Sequence, residues 1–231
     1  ITSIMGFSEL LFQDLENKKN ANLISNNIYT KDEFEALNRV IKRTKLINTS
    51  TKEAFSLLEN LLEWSRTNRN VVSPSYEEIN LSDVITSQVL FNKNQADFKN
   101  IIINYEEKSG VYITADKNML KTILRNFISN AIKFTPRGGE IIISTSGISK
   151  TDKEKLVRVD VSDTGVGIPE RTLSNLFVQG QNITTKGTES ERGTGLGLKL
   201  CKEFAEKMGG YITIKSKRGK GTIVSLVLPS S

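Results

Sequence analysis

Histidine is absent from this 231-residue chain, and cysteine, tryptophan and proline are scarce, at one, one and four residues. Without imidazole the commonest metal ligand and general base is missing, which excludes His-based zinc sites and Ser-His-Asp chemistry. Cys201 alone cannot close an intramolecular disulfide. Long apolar runs are lacking too: none approaches the ~18 to 20 residues that cross a bilayer, and Ile1-Thr2-Ser3 has no charged signal-peptide start. With 37% hydrophobic and 25% charged residues the composition is that of a soluble globular protein, large enough for a sizeable core. A cytoplasmic setting is expected, with no membrane contact by this segment and any membrane anchor of the parent left open. Because the first residue is not Met, a piece of a longer polypeptide is expected.

The net charge of +6 is weakly localised: residues 1–70 hold 10 Lys/Arg against 9 Asp/Glu, and the remainder 22 against 17. No basic stripe with interleaved aromatics accompanies it, so no nucleic-acid partner is expected. A mildly basic second half suits an anionic small ligand.

Periodicity changes near residue 70. Ile1, Ile4, Met5, Phe7, Leu11, Phe12 and Leu15 recur at helical spacing up to about Lys19. A second helical stretch, from about Lys31 to Arg66, carries Phe34, Leu37, Val40, Ile41, Ile47, Ala54, Phe55, Leu58, Leu61 and Leu62 on two adjacent seams. It would be roughly 50 Å long. A hairpin of two such helices buries one seam only. The other needs a further partner, so a four-helix bundle made by two chains is expected, the alternative being that both seams pack on the following domain. The Asn- and Lys-rich stretch 17–27 reads as the turn between the helices.

Three segments are therefore expected: a helical-hairpin dimerisation domain at 1–68, a linker at 69–75 acting as a hinge, and an α/β domain at 76–231. In the last, helices are expected from Leu81 (capped by Ser82 or Asp83) to Phe98, from Lys117 (capped by Asp116) to Phe134, and from Gly193 through Met208. Alternating strands are expected at 101–106, 111–114, 140–146 and 156–162, then a hairpin of 211–216 and 222–228. The stretch 163–193 reads as loop. The fold class is α+β, a mixed sheet packed on helices behind a helical hairpin.

Glycines cluster three times in the second half: Asp163-Thr-Gly165-Val-Gly167, Gly193-Thr-Gly195-Leu-Gly197 and Gly219-Lys-Gly221-Thr222. Such runs let backbone approach a ligand and form anion-binding nests, and the second also opens a helix whose N–H groups attract phosphate. Ordinary turns supply such glycines as well, but three clusters in one domain favour the ligand reading. None is a Walker A or a Gly-x-Gly-x-x-Gly loop. Asn126 and Asn130 lie one helical turn apart beside Lys133. Amide oxygens are hard ligands suited to Mg²⁺ and Lys133 would add charge for phosphates, although the three could equally be a solvated helix face.

Together these boxes resemble the catalytic ATP-binding domain of sensor histidine kinases, within the superfamily of gyrase, MutL and the heat-shock chaperone ATPases. Asn126-Phe-Ile-Ser-Asn130-Ala-Ile-Lys133-Phe134 is similar to the N-box, the three glycine clusters to the G1, G2 and G3 boxes. Ile1-Thr-Ser-Ile-Met-Gly-Phe7 resembles the sequence after a phospho-acceptor histidine, and Leu57 to Arg66 the end of the second dimerisation helix. The resemblance implies ATP and Mg²⁺ as cofactors. Asp163 would accept from the adenine amino group, with Ile168 and Thr222 lining the base. Gly165, Gly167, Gly193, Gly195, Gly197 and Leu198 would wrap the nucleotide, Asn130 and Asn126 would hold the metal, and Asn126 and Lys133 would serve catalysis. The stretch 178–193 would be a lid, with Lys186 and Arg192 reaching the γ-phosphate. It also implies a homodimer through 1–68, a response-regulator receiver domain as partner, docking around Ile4, Phe7, Ser8 and Leu11, and an acceptor histidine just upstream of Ile1. Gly180 and Asn182 depart from the family's pattern before the lid, where Phe177 is retained. A nucleotide-binding degenerate kinase and a hydrolytic ATPase of the same superfamily are the alternatives. Hydrolytic relatives carry Glu where Asn126 stands, and an amide is no general base.

Overall fold

The computed structural model describes residues 35–36, 38–44, 47, 51, 74–106, 110–151, 154–177, 185–189, 191 and 195–230. The chain divides into two compact units, 1–63 and 64–231. In the first, the described residues are helical, and Thr44 and Thr51 donate their hydroxyls to the carbonyls of Val40 and Ile47 one turn back. Val40 and Ile47, two of the seam residues, are 47% and 60% exposed in the single chain. The remainder of the expected hairpin, its turn, the acceptor-proximal segment, Trp64 and linker residues 69–73 lie outside the described residues.

The second unit runs β1 (Tyr76–Asn80), α1 (Leu81–Phe98), β2 (Ile102–Glu106), β3 (Tyr112–Asp116), α2 (Lys117–Phe134), β4 (Glu140–Thr151), β5 (Glu154–Asp163), α3 (Glu170–Leu173), α4 (Gly197–Lys207), β6 (Tyr211–Ser216) and β7 (Thr222–Pro229). Five strands form one sheet in the order β2-β4-β5-β7-β6, in which β2 and β4 are parallel and the other pairs antiparallel. β1 and β3 make a separate antiparallel pair. The mixed sheet and helices are the α+β fold expected.

Alternation along β5 fixes which face is covered: Val157, Val159 and Val161 are buried, whereas Arg158, Asp160 and Ser162 between them face the other way. Against the buried face lies α2, whose Leu120, Ile123, Leu124, Phe127, Ile128 and Ile132 recur at helical spacing and are at most 1% exposed. Leu200, Cys201 and Phe204 of α4 and Val84 and Ile85 of α1 complete the core. Each such side chain contributes about 1.5–3 kcal/mol on burial. Cys201 is thus a packing residue, fully buried.

Both ends of α2 follow from sequence. Asp116 accepts from the N–H groups of Asn118 and Met119 at 2.9 and 3.0 Å, the expected N-cap. At the other end Thr135 precedes Pro136, is held extended at ψ 129°, and returns its hydroxyl to Ala131 O at 2.7 Å. The cap of α1 is a correction: neither Ser82 nor Asp83 caps it, because Asn80 Oδ1 accepts from Ser82 N at 3.1 Å. Strand β1 and the single turn α3 were not foreseen. β1 is a short edge partner with exposed Tyr76, Glu77 and Glu78, so it carries little alternation to read. The β4–β5 hairpin is also longer than its apolar stretches.

Candidate functional site

Asp163 is the last residue of β5, between Ile141 of β4 and Thr222 of β7, and only 9% exposed. Its Oδ1 accepts from Gly165 N at 2.8 Å and from Thr222 N at 3.2 Å. Among the described residues Oδ2 accepts nothing. Burial pushes this carboxyl above its ordinary value, and the two N–H groups partly oppose the shift. The result is a carboxylate locked in orientation by one oxygen while the other remains available.

The first and third glycine clusters close around it. Gly221 sits at φ +85°, and a Cβ there would collide with the Asp163 carbonyl. Ser216 ties the same corner, accepting from Ile168 N at 2.8 Å and reaching Gly221 O and Thr222 Oγ1 at 2.9 Å each. Gly219 N donates to Val166 O at 2.7 Å, and Val166 N to Phe134 O at 3.1 Å, so the first and third clusters and the end of α2 form one continuous rim. A recess of about 340 Å³ opens here, lined by Asp163, Ser216, Gly221, Thr222, Ile223 and three lysines, Lys215, Lys217 and Lys220, among others. The second cluster leads into α4, and Gly197 lets that helix start directly against Asn126: a Cβ would strike Asn126 Oδ1.

Residues 115–231 match the model of the histidine kinase-, DNA gyrase B-, and HSP90-like ATPases. The chain belongs to that family. It is 31% identical over its whole length to an uncharacterized sensor-like histidine kinase of Rhizobium meliloti, of which it covers 40%. It is 31% identical over 79% of its length to the cell-division control histidine kinase PdhS of Brucella suis, of which it covers 18%. The chain thus spans well under half the length of these curated relatives. Among solved structures it resembles the catalytic domain of histidine kinase ThkA, with 27% identity, a TM-score of 0.57, and coverage of 68% of this chain and 96% of that one. ThkA in complex with response regulator protein TrrA also shares the fold, at 19% identity and a TM-score of 0.57 over 100% of this chain and 60% of that one. The sensor histidine kinase resemblance read from the boxes therefore holds for this chain.

Within this ATPase fold the remaining sequence-predicted residues are placed as follows. Asn126 donates Nδ2 to Thr122 O at 3.0 Å, which leaves Oδ1 turned to the start of α4 and without a hydrogen bond among the described residues. Asn130, one turn on, is half-buried. An amide oxygen held at the mouth of a helix fits Mg²⁺, which favours hard oxygen donors and retains waters. No group of three His, Cys, Asp or Glu residues that could hold a metal occurs among the described residues. Lys133 places its ammonium 4.8 Å from the Phe134 ring centre, and Gly187 packs so close to its side chain that a Cβ there would stand 2.6 Å from Lys133 Cγ. Lys186 is exposed. Gly165, Gly167, Ile168 and Gly195 lie on described loops, Gly197 and Leu198 at the start of α4, and Thr222 at the start of β7. Arg192, Gly193, Gly180 and Asn182 lie outside the described residues. Phe177 is half-buried under Lys202, whose Nζ stands 5.4 Å from its ring centre.

Sequence reasoning missed Ser216, which carries no motif of its own. It also missed Lys99, a lysine at the end of α1 whose burial nothing local announces. No helix among the described residues is long and apolar enough to cross a membrane.

Proposed function

We propose that this chain is the core of a sensor histidine kinase that binds Mg-ATP and passes the γ-phosphoryl to a histidine, for relay to a response-regulator aspartate. The chain holds no histidine of its own, so the acceptor stands outside these 231 residues. The carrying observation is Asp163. Its free Oδ2 matches the adenine amino donor, whereas guanine presents an acceptor at that place. Thr222 and Ile168 would flank the base. The start of α4 directs N–H groups and the positive end of its dipole to the phosphates, with Lys133 and Lys186 adding charge where phosphoryl transfer spreads it over oxygens.

Asn126 and Asn130 would hold Mg²⁺, which when bound neutralises phosphate charge. Asn126 is an amide where hydrolytic relatives carry a base, so positioning and electrostatics, rather than activation of water, are what these residues supply. In this reading the chain works as a homodimer through 1–68, with the linker as hinge, on the cytoplasmic side. Its partner in this reading is a receiver domain; ThkA, which shares the fold, is seen in complex with response regulator protein TrrA.

The test is calorimetric titration of Mg-ATP and Mg-GTP into the chain, with Asp163→Asn as comparison. ATP is expected to bind and GTP not to, and the substitution to weaken ATP roughly tenfold to a hundredfold, the worth of one hydrogen bond to a charged group. Equal binding of both nucleotides, or ATP affinity indifferent to the substitution, would refute the adenine assignment.

A further inference from the structure

Lys99, the residue that closes α1, is 3% exposed. Four oxygens surround its Nζ: Ile132 O at 2.8 Å, Lys133 O at 3.2 Å, Thr188 Oγ1 at 2.6 Å and Glu191 Oε1 at 3.2 Å. Two of them are carbonyls from the last turn of α2, where the helix dipole favours a cation. The other two belong to Thr188 and Glu191, in the 187–191 segment far away in sequence. That segment is fastened to the same helix end by further bonds. Thr188 N donates to Lys133 O at 3.0 Å, and the Thr188 hydroxyl donates to Lys133 O at 3.2 Å and to Thr135 O at 3.1 Å; within the segment, Gly187 N donates to Glu191 O at 2.8 Å. Arg137 reinforces the seam from outside, pairing with Glu189 at 2.6 Å while donating to Phe98 O at 2.8 Å.

We infer that Lys99 is a positioning residue for the nucleotide phosphates. It touches no ligand itself. Its ammonium fixes the end of α2, which carries Lys133, to the 187–191 segment, which follows directly on Lys186, so the two cations assigned to the phosphates are held by one buried charge. This inference rests on the nucleotide reading above. Because the clamp lies beside the phosphate end and has no contact with Asp163 or Thr222, it predicts a split: removing it costs affinity for the outer phosphates and spares the base.

The experiment compares Kd values of Mg-ATP and of AMP for the unmodified chain, Lys99→Met, Glu191→Gln and Thr188→Val, each checked for folding by thermal melting. Expected is at least a tenfold loss of ATP affinity in Lys99→Met and a several-fold loss in Thr188→Val and Glu191→Gln, with AMP held within about twofold throughout. If Lys99→Met does not fold, the two milder variants decide. Loss of ATP and AMP by the same factor would reduce Lys99 to a scaffold residue, and unchanged ATP affinity in folded variants would overturn the inference outright. Failure of the unmodified chain to bind either nucleotide would instead refute the nucleotide reading and this inference with it.

Discussion

Asp163 combines two demands that oppose each other. The proposed recognition of an amino donor asks for an ionised, oriented carboxylate, while burial at the end of β5 raises its pKa and disfavours that form. For a carboxyl whose folded value lies above its unfolded one, the native state binds more protons than the unfolded chain between the two values, so stability falls as pH rises through that window. The penalty is complete at neutral pH. Asp163→Asn keeps an oxygen for Gly165 N and Thr222 N but sheds the charge. Its melting temperature is therefore expected to match or exceed that of the unmodified chain at pH 7, and the margin to shrink as pH is lowered from the ordinary carboxylate value of 3.8 plus the shift down to 3.8 itself. A margin that grows on acidification would contradict this. Stability and nucleotide affinity are thus expected to move in opposite directions at one residue.

Helix α2 is the element on which the proposed site rests, since Asn126, Asn130 and Lys133 all belong to it while its apolar face fills the core. Its start depends on Asp116, whose second oxygen also accepts from Ser75 N at 2.9 Å, tying the segment before β1 to the helix cap. Asp116→Ala removes these bonds and is expected to lower unfolding free energy by about 0.5–2 kcal/mol, measured by urea denaturation. A change within error would mean that the cap is dispensable. At the other end of α2 the Lys99–Glu191 pair joins a buried ammonium to a carboxylate about a third exposed, so truncating Glu191 leaves a buried charge short of one partner.

On the scale of the whole molecule, the solved ThkA catalytic domain, 96% covered by this chain, is a counterpart of the second unit as a body that stands alone. The first unit presents exposed Val40 and Ile47 in the single chain. If 1–68 dimerises as proposed, sedimentation of the full chain gives twice the chain mass while residues 76–231 sediment as a monomer. Identical association states for the two would contradict the bundle.

Several elements were legible from the residues alone. The bounds of α2 at Lys117 and Phe134 and its Asp116 cap were readable because capping, helical periodicity and Pro136 are local signals acting over a few residues. The glycine boxes were readable because backbone proximity demands glycine whatever surrounds it. Strand β1, the Asn80 cap and the single turn α3 were not, since short exposed segments lack periodicity. By itself the sequence determined the α+β class and the family boxes, both of which rest on short-range pattern. Only the tertiary structure decided that Asp163 would be pinned through one oxygen by Gly165 and Thr222, and that Lys99 would reach across to Thr188 and Glu191, 89 and 92 residues away. Such contacts join residues that no local pattern relates, and only the packing of α1, α2 and the sheet around a common core brings them within hydrogen-bond distance.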